Sequence, residues 1–172
     1  MEDLNLTVED RRAVPPARNA ARQAQATGKG SGGIVCAAAI ELPDGRIVTG
    51  RNSPLMHAAS SLVLNAVKTL AGIPDDIHLL PPNVTHSLNH FKKDVLKGKM
   101  TSLDLEETLI ALSISGTMNK AAGTAVEKLK ELAGCEVHLT HIPTPGDATG
   151  LRKLGVRATS DPEFPSRHLY LS

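Results

Sequence analysis

The chain has 172 residues, 41% of them hydrophobic and 22% charged, and 19 basic against 18 acidic side chains leave a formal charge of +1. That size and balance describe one globular domain with a core of its own, and no apolar run approaches the roughly 20 residues of a membrane-spanning helix. The near-neutral charge gives no field to recruit nucleic acid or an anionic membrane, and an aromatic content of 2%, confined to Phe91, Phe164 and Tyr170, leaves little for bases to stack on.

Residues 8–27 are rich in Ala, Arg and Gln, and Pro15-Pro16 interrupts the register, so a helix is expected from the proline pair to about Ala26. The following GKGSGG, Gly28 to Gly33, reads as a flexible joint: no strand precedes it and no GK[ST] closes it, as a phosphate-binding loop would require. The chain therefore divides into an N-terminal helical arm with a Gly-rich linker, 1–33, and a single α/β domain, 34–172.

Ile34 to Leu42 is apolar and β-branched at its start, Pro43-Asp44-Gly45 is a turn signature, and Arg46 to Thr49 is a second strand, which together predict a hairpin. Ser53 and Pro54 read as the N-cap and first residue of a helix. Its apolar stripe is Leu62, Val63, Ala66, Val67 and Leu70, and Gly72 with Pro74 ends it. Further helices are expected over 84–96, 103–113 and 121–133, the second with Asp104, Glu106 and Glu107 favourably placed in its first turn. A strand over 135–142, a short helix capped by Asp147 and ended by Gly155, and a strand over 156–159 form a crossover unit that makes parallel neighbours. The tail carries one further edge strand, at 168–171. Interleaved helices and strands predict a three-layer α/β/α sandwich with a mixed sheet.

Seven histidines raise the question of a metal. His86 and His90 are one helical turn apart, but no HExxH accompanies them and no third ligand is evident beyond Asp94, so they read as a solvated helix face. His138 and His141 fall on opposite faces of their strand. His141, in phase with Val137 and Leu139, is expected in the core; His138, in phase with Glu136 and Thr140, lines either a polar pocket or an exposed face. Ser60 and Ser61 lie near a positive helix terminus, but no G-x-S-x-G elbow surrounds them to make a nucleophile. Arg11, Arg12, Arg18 and Arg22 are interleaved with Glu2, Asp3, Glu9 and Asp10, which argues against a nucleic-acid site. The two widely spaced cysteines, Cys36 and Cys135, and an N-terminus without an apolar signal region fit reduced thiols and a cytoplasmic location.

The stretches ELPDGRIVTG, ASSLVLNAVKTLAGIPDDIHLL, LEETLIALSIS, LAGCEVH and LRKLGV closely resemble the C-terminal portion of the bacterial domain-of-unknown-function 1846 family over most of the chain. The resemblance implies a segment that normally ends a much larger polypeptide, and a cytidine-deaminase-like subdomain. A zinc deaminase places a His or Cys ligand and a general acid/base Glu at one helix start and a P-C-x-x-C at another. Here the first place reads His57-Ala58-Ala59, with neither the Glu nor the cysteine pair, so the scaffold lacks the zinc motif and His57 departs from the small residue usual in the family.

The expected site is the corner where the second hairpin strand meets the helix start, lined by Asn52, Ser53, His57, Ser60 and Ser61, because open α/β sheets bind ligands at strand ends beside helix termini. The reading is a non-catalytic accessory or assembly domain with a vestigial small-molecule pocket and neither metal nor cofactor. Its partners would be a second copy or the larger N-terminal region of the family. The alternative is a hydrolase or transferase acting on a nucleotide-like small molecule, its catalytic groups drawn from His57, His86, His90, His138 or His141.

Overall fold

A computed structural model of the chain describes residues 7, 10–30 and 33–164. Pro43-Asp44-Gly45 reverses the chain as its composition predicts, with Gly45 at φ 87°. It joins β1 (Ala37–Glu41) to β2 (Ile47–Arg51) in an antiparallel pair that sets Ala38 opposite Gly50 and Ile40 opposite Val48. On the other edge of β1 lies β3 (Glu136–Leu139), again antiparallel, and β4 (Arg157–Ser160) runs parallel to β3 after the crossover. The result is a four-stranded mixed sheet in the order β2-β1-β3-β4.

Side-chain alternation divides the sheet between two helical coverings. On one face the first helix, α1 (Val14–Ala26), buries Ala13 and Ala17 against Ala39 and Ile47, while Arg11 reaches Glu136 at 2.9 Å and Arg18 reaches Asp161 at 2.8 Å. The proline pair sits inside its first turn rather than before it, where missing N–H groups cost nothing. On the other face α2 (Ala58–Ala71) packs Leu62, Val63, Ala66 and Val67 into one core with Ala38, Ile40, Leu42, Val137 and Leu139. Gly50 permits that contact: a Cβ there would overlap the backbone of Leu62 and Ala58.

Beyond α2 follow α3 (Pro82–His90), α4 (Leu105–Ser115), α5 (Lys120–Lys128) and α6 (Pro145–Leu154), with α4 and α5 forming the outer part of this layer. The helix expected over 84–96 continues past His90 only as a π-helical turn, Phe91–Val95, and the one expected over 121–133 tightens into a 3-10 turn, Leu129–Leu132. The expectation for 103–113 survives, shifted by two residues. Asp104 caps α4 with a full capping box, its carboxylate accepting from Glu107 N–H and the Glu107 side chain accepting from Asp104 N–H.

Three sequence expectations require correction. The N-cap of α2 is His57, not Ser53; Ser53 instead turns the chain before the helix, its hydroxyl accepting from the N–H of Leu55 and Met56. Thr144, not Asp147, caps α6. His138 rather than His141 is the fully buried histidine of the pair, because α1 covers its face of the sheet; its Nδ1 lies 2.8 Å from Thr159 Oγ1 and its Nε2 3.1 Å from Asp161. His141 lies past the end of β3, where strand alternation no longer fixes a face, and is half-buried. The strand expected at 168–171 falls outside the described residues.

Candidate functional site

The strand ends and helix starts meet where α2, α4 and α6 begin. His57 holds an extended conformation, ψ 161°, its N–H donating to the Leu103 carbonyl and its own carbonyl accepting from Ser61 N–H. An N-cap side chain normally turns inward to its helix. The His57 imidazole instead turns away, and its Nδ1 meets Oδ2 of Asp147 at 2.8 Å.

Asp147 is the third residue of α6 and is 5% exposed. Its second oxygen accepts the N–H of Leu105, the first residue of α4, at 2.9 Å. One buried carboxylate thus satisfies an N–H left without an intrahelical partner at the start of α4 and orients the ring at the start of α2. Beside it lies Asp104, whose carboxylate comes so close to Gly146 that any Cβ there would collide with it. Burial lifts the Asp104 carboxyl above its ordinary range, aided by the charges of Glu107 and Asp147. Lys92 closes the cluster, donating to Glu107 and to the Ser102 carbonyl, both at 2.8 Å.

For His57, burial opposes the imidazolium, but the hydrogen bond and charge of Asp147, with Asp104 behind it, prevail and hold its pKa above the ordinary value. The ring borders a recess of about 120 Å³ whose other walls are Cys36, Met56, Ala58, Ala59, Leu139 and Thr144, with Asn52, Ser53 and His141 at its margin. Apolar side chains make up much of this lining, and its polar members include the His57–Asp147 pair, His141, Ser53 and Thr144. Burial, and secondarily the charge of Asp147, pushes the Cys36 thiol up to about 12. Burial also holds His141 below its ordinary value.

Of the five residues expected here, the structure brings Asn52, Ser53 and His57 to the recess. The polar atoms of Asn52 are engaged in extending the hairpin, Oδ1 accepting from Cys36 N–H and Nδ2 donating to the Ile34 carbonyl. Ser60 is fully buried and donates to the Leu103 carbonyl, and Ser61 borders a separate groove between α2 and α3. His86 is exposed, and His90 is exposed and pairs with Asp94 at 2.7 Å. Among the described residues no three His, Cys, Asp or Glu side chains converge as a metal would require. Asp147, the residue that organises the site, is missed by the sequence reading because its signal is that of an ordinary helix cap.

Fold and site define an α/β domain with a mixed sheet and an aspartate-backed histidine at a helix start. The chain belongs to the family described as "Domain of unknown function DUF1846, C-terminal", whose model matches residues 9–170. It is similar to a UPF0371 protein of Clostridioides difficile strain 630, 43% identical over 172 residues, which is 100% of this chain and 34% of the relative. UPF0371 proteins of Clostridium tetani strain Massachusetts / E88 and Clostridium botulinum strain Eklund 17B / Type B are each 43% identical over 171 residues, 99% of this chain and 34% of the relative. The chain thus spans about a third of the length of the curated relatives it matches. Among the described residues no helix is long and apolar enough to cross a membrane.

Proposed function

We propose that this chain is a ligand-holding accessory domain of a larger bacterial protein, and that the recess at His57 is its binding site. The observation that carries the reading is the His57–Asp147 pair: a ring fixed through Nδ1 at 2.8 Å by a buried carboxylate, bordering a mainly apolar recess beside the first turn of α2. An imidazole whose charged form Asp147 favours, next to the start of a helix, suits a small molecule with an anionic or strongly hydrogen-bond-accepting head and an apolar body. The cytidine-deaminase-like scaffold implied by the family resemblance fits this reading. On that resemblance His57 would correspond to the helix-start position of a zinc deaminase's ligand, and its ring is oriented by the Asp147 carboxylate through Nδ1.

A binding role is favoured over catalysis because the recess supplies no activated nucleophile. The Cys36 thiol, held up at about 12, stays protonated near neutrality, and the Ser53 hydroxyl already accepts two backbone N–H groups. Two buried free thiols, Cys36 and Cys135, suit a reducing cytoplasm. The Asp147–His57 dyad also favours a second reading, in which His57 acts as general base in a hydrolase or transferase working on a nucleotide-like molecule.

The test is a titration of the purified chain with inorganic phosphate, acetate and cytidine monophosphate, following the His57 ring by NMR. The binding reading expects saturable movement of the ring resonances by at least one probe, lost in Asp147→Asn, with no turnover. Release of phosphate or base from the nucleotide, lost in His57→Gln, would establish the second reading. A ring that none of the probes moves defeats both.

A further inference from the structure

The sequence of α4 and its exit, LEETLIALSISGTMN, carries no charge between Glu107 and Lys120. A surface helix ordinarily confines its apolar residues to the stripe facing the core. Here Leu105 and Leu112 are buried, yet Ile110 and Ile114 on α4 and Met118 in the turn just past its end are 63%, 57% and 74% exposed. They follow one another at intervals of four residues, and Ser113 and Thr117 beside them are exposed and uncharged. The outcome is a continuous apolar ridge along the outer helical layer, away from the recess.

We infer that this ridge is a two-fold contact between copies of this chain, with α4 packing antiparallel against α4 of the partner around Ile114. Charge complementarity supports the arrangement. The start of α4 gathers Asp104, Glu106 and Glu107, against which stand Lys92 and Lys153, leaving an acidic excess, while Lys120 is exposed just past the other end. Antiparallel pairing brings the acidic start of one helix to the basic exit of the other and aligns the helix dipoles favourably; parallel pairing would bring like ends together. With Ile114 on the axis, Ile110 faces Met118 of the partner subunit, so the ridge is self-complementary, as a two-fold interface requires.

The remaining polypeptide of the longer relatives is a less suitable occupant. Their match to this chain lies in a C-terminal family region, so the additional sequence leads into α1. That helix covers the opposite face of the sheet, and the sheet and α2 intervene between it and the ridge. With only Ile110, Ile114 and Met118 as its exposed apolar side chains, the contact is a small one and the dimer is expected to be concentration-dependent.

The test is sedimentation equilibrium of the 172-residue chain over a concentration series to about 1 mM, with Ile114→Glu and Ile114→Cys variants. Expected are a monomer–dimer equilibrium in the native chain and a shift to monomer of at least tenfold in Kd in Ile114→Glu. Under mild oxidation Ile114→Cys is expected to form a disulfide-linked dimer, since a residue on the axis meets itself; the native cysteines are buried and do not compete. Ile77→Cys, exposed in the loop after α2, controls for random collision. A native chain that stays monomeric, a dimer that survives Ile114→Glu, or cross-linking at position 114 no faster than at 77 would overturn the inference. None of these outcomes depends on ligand binding at His57.

Discussion

His57 and Asp147 are 90 residues apart in the chain and 2.8 Å apart in space, and the same carboxylate holds the first N–H of α4 at 2.9 Å. The starts of three helices are therefore joined by one buried side chain. Asp147→Asn preserves shape and the bond from Leu105, but an amide N–H2 aimed at His57 Nδ1 requires a neutral ring and removes the charge-assisted bond. The variant is expected to lose about 1–3 kcal/mol of stability and to lower the His57 pKa. Denaturant unfolding and NMR titration of the ring check both, and a variant titrating like the native chain would contradict the assignment.

The pH dependence of that contact has a definite sign. The folded-state pKa of His57 lies above its ordinary value of 6.5, so the imidazolium favours the fold. Its contribution is complete below about 6.5 and is lost as the pH rises through the raised folded value. His138 acts in the opposite sense: burial depresses its pKa, so its contribution is present above the ordinary value and lost as the pH falls through the folded one. Comparing His57→Gln with the native chain cancels His138. The stability difference is expected to be largest in mildly acid solution and to shrink through neutrality, measured by urea unfolding at a series of pH values.

The relative legibility of fold and site follows from which interactions are local. The hairpin was readable because Pro43-Asp44-Gly45 encodes its turn within three residues, and the parallel β3–β4 pair because a strand, helix and strand order leaves few alternatives. The start of α2 was misplaced because Ser53-Pro54 is a good local cap signal, whereas the actual start is fixed by the bond from His57 N–H to Leu103, far along the chain. Of the expected corner, Asn52, Ser53 and His57 line one recess while Ser60 and Ser61 do not, and the chemistry of that recess depends on Asp147, which arrives from α6. No local pattern distinguishes a carboxylate that caps its own helix from one that serves two others.

Gly50 offers a test of the packing that positions the recess. Its Cβ would meet the Leu62 N and Cα atoms and the Ala58 carbonyl, all backbone, so no side-chain rotation relieves the overlap. Gly50→Ala must separate β2 from α2 and is expected to cost about 1–3 kcal/mol or more. Gly72→Ala meets no neighbour, and its cost is confined to the left-handed backbone at φ 67°. Thermal unfolding should place Gly50→Ala well below the native chain and, among the two, the less stable; the reverse order would mean that the strand–helix contact is looser than described.

Cys36 reports on whether the recess excludes reactive chemistry. Burial is the larger cause of its raised pKa and the Asp147 charge the smaller, and at a pKa of about 12 only about one thiol in ten thousand is ionised at pH 8. The folded chain is therefore expected to leave Cys36 unlabelled by iodoacetamide under conditions that alkylate it promptly in denaturant. Because burial dominates, Asp147→Asn should speed labelling only slightly while the fold persists. Rapid alkylation of Cys36 in the native protein would mean that the thiol is ionised at the recess, and would move the balance toward the hydrolase or transferase reading by adding a side-chain nucleophile beside the general base at His57.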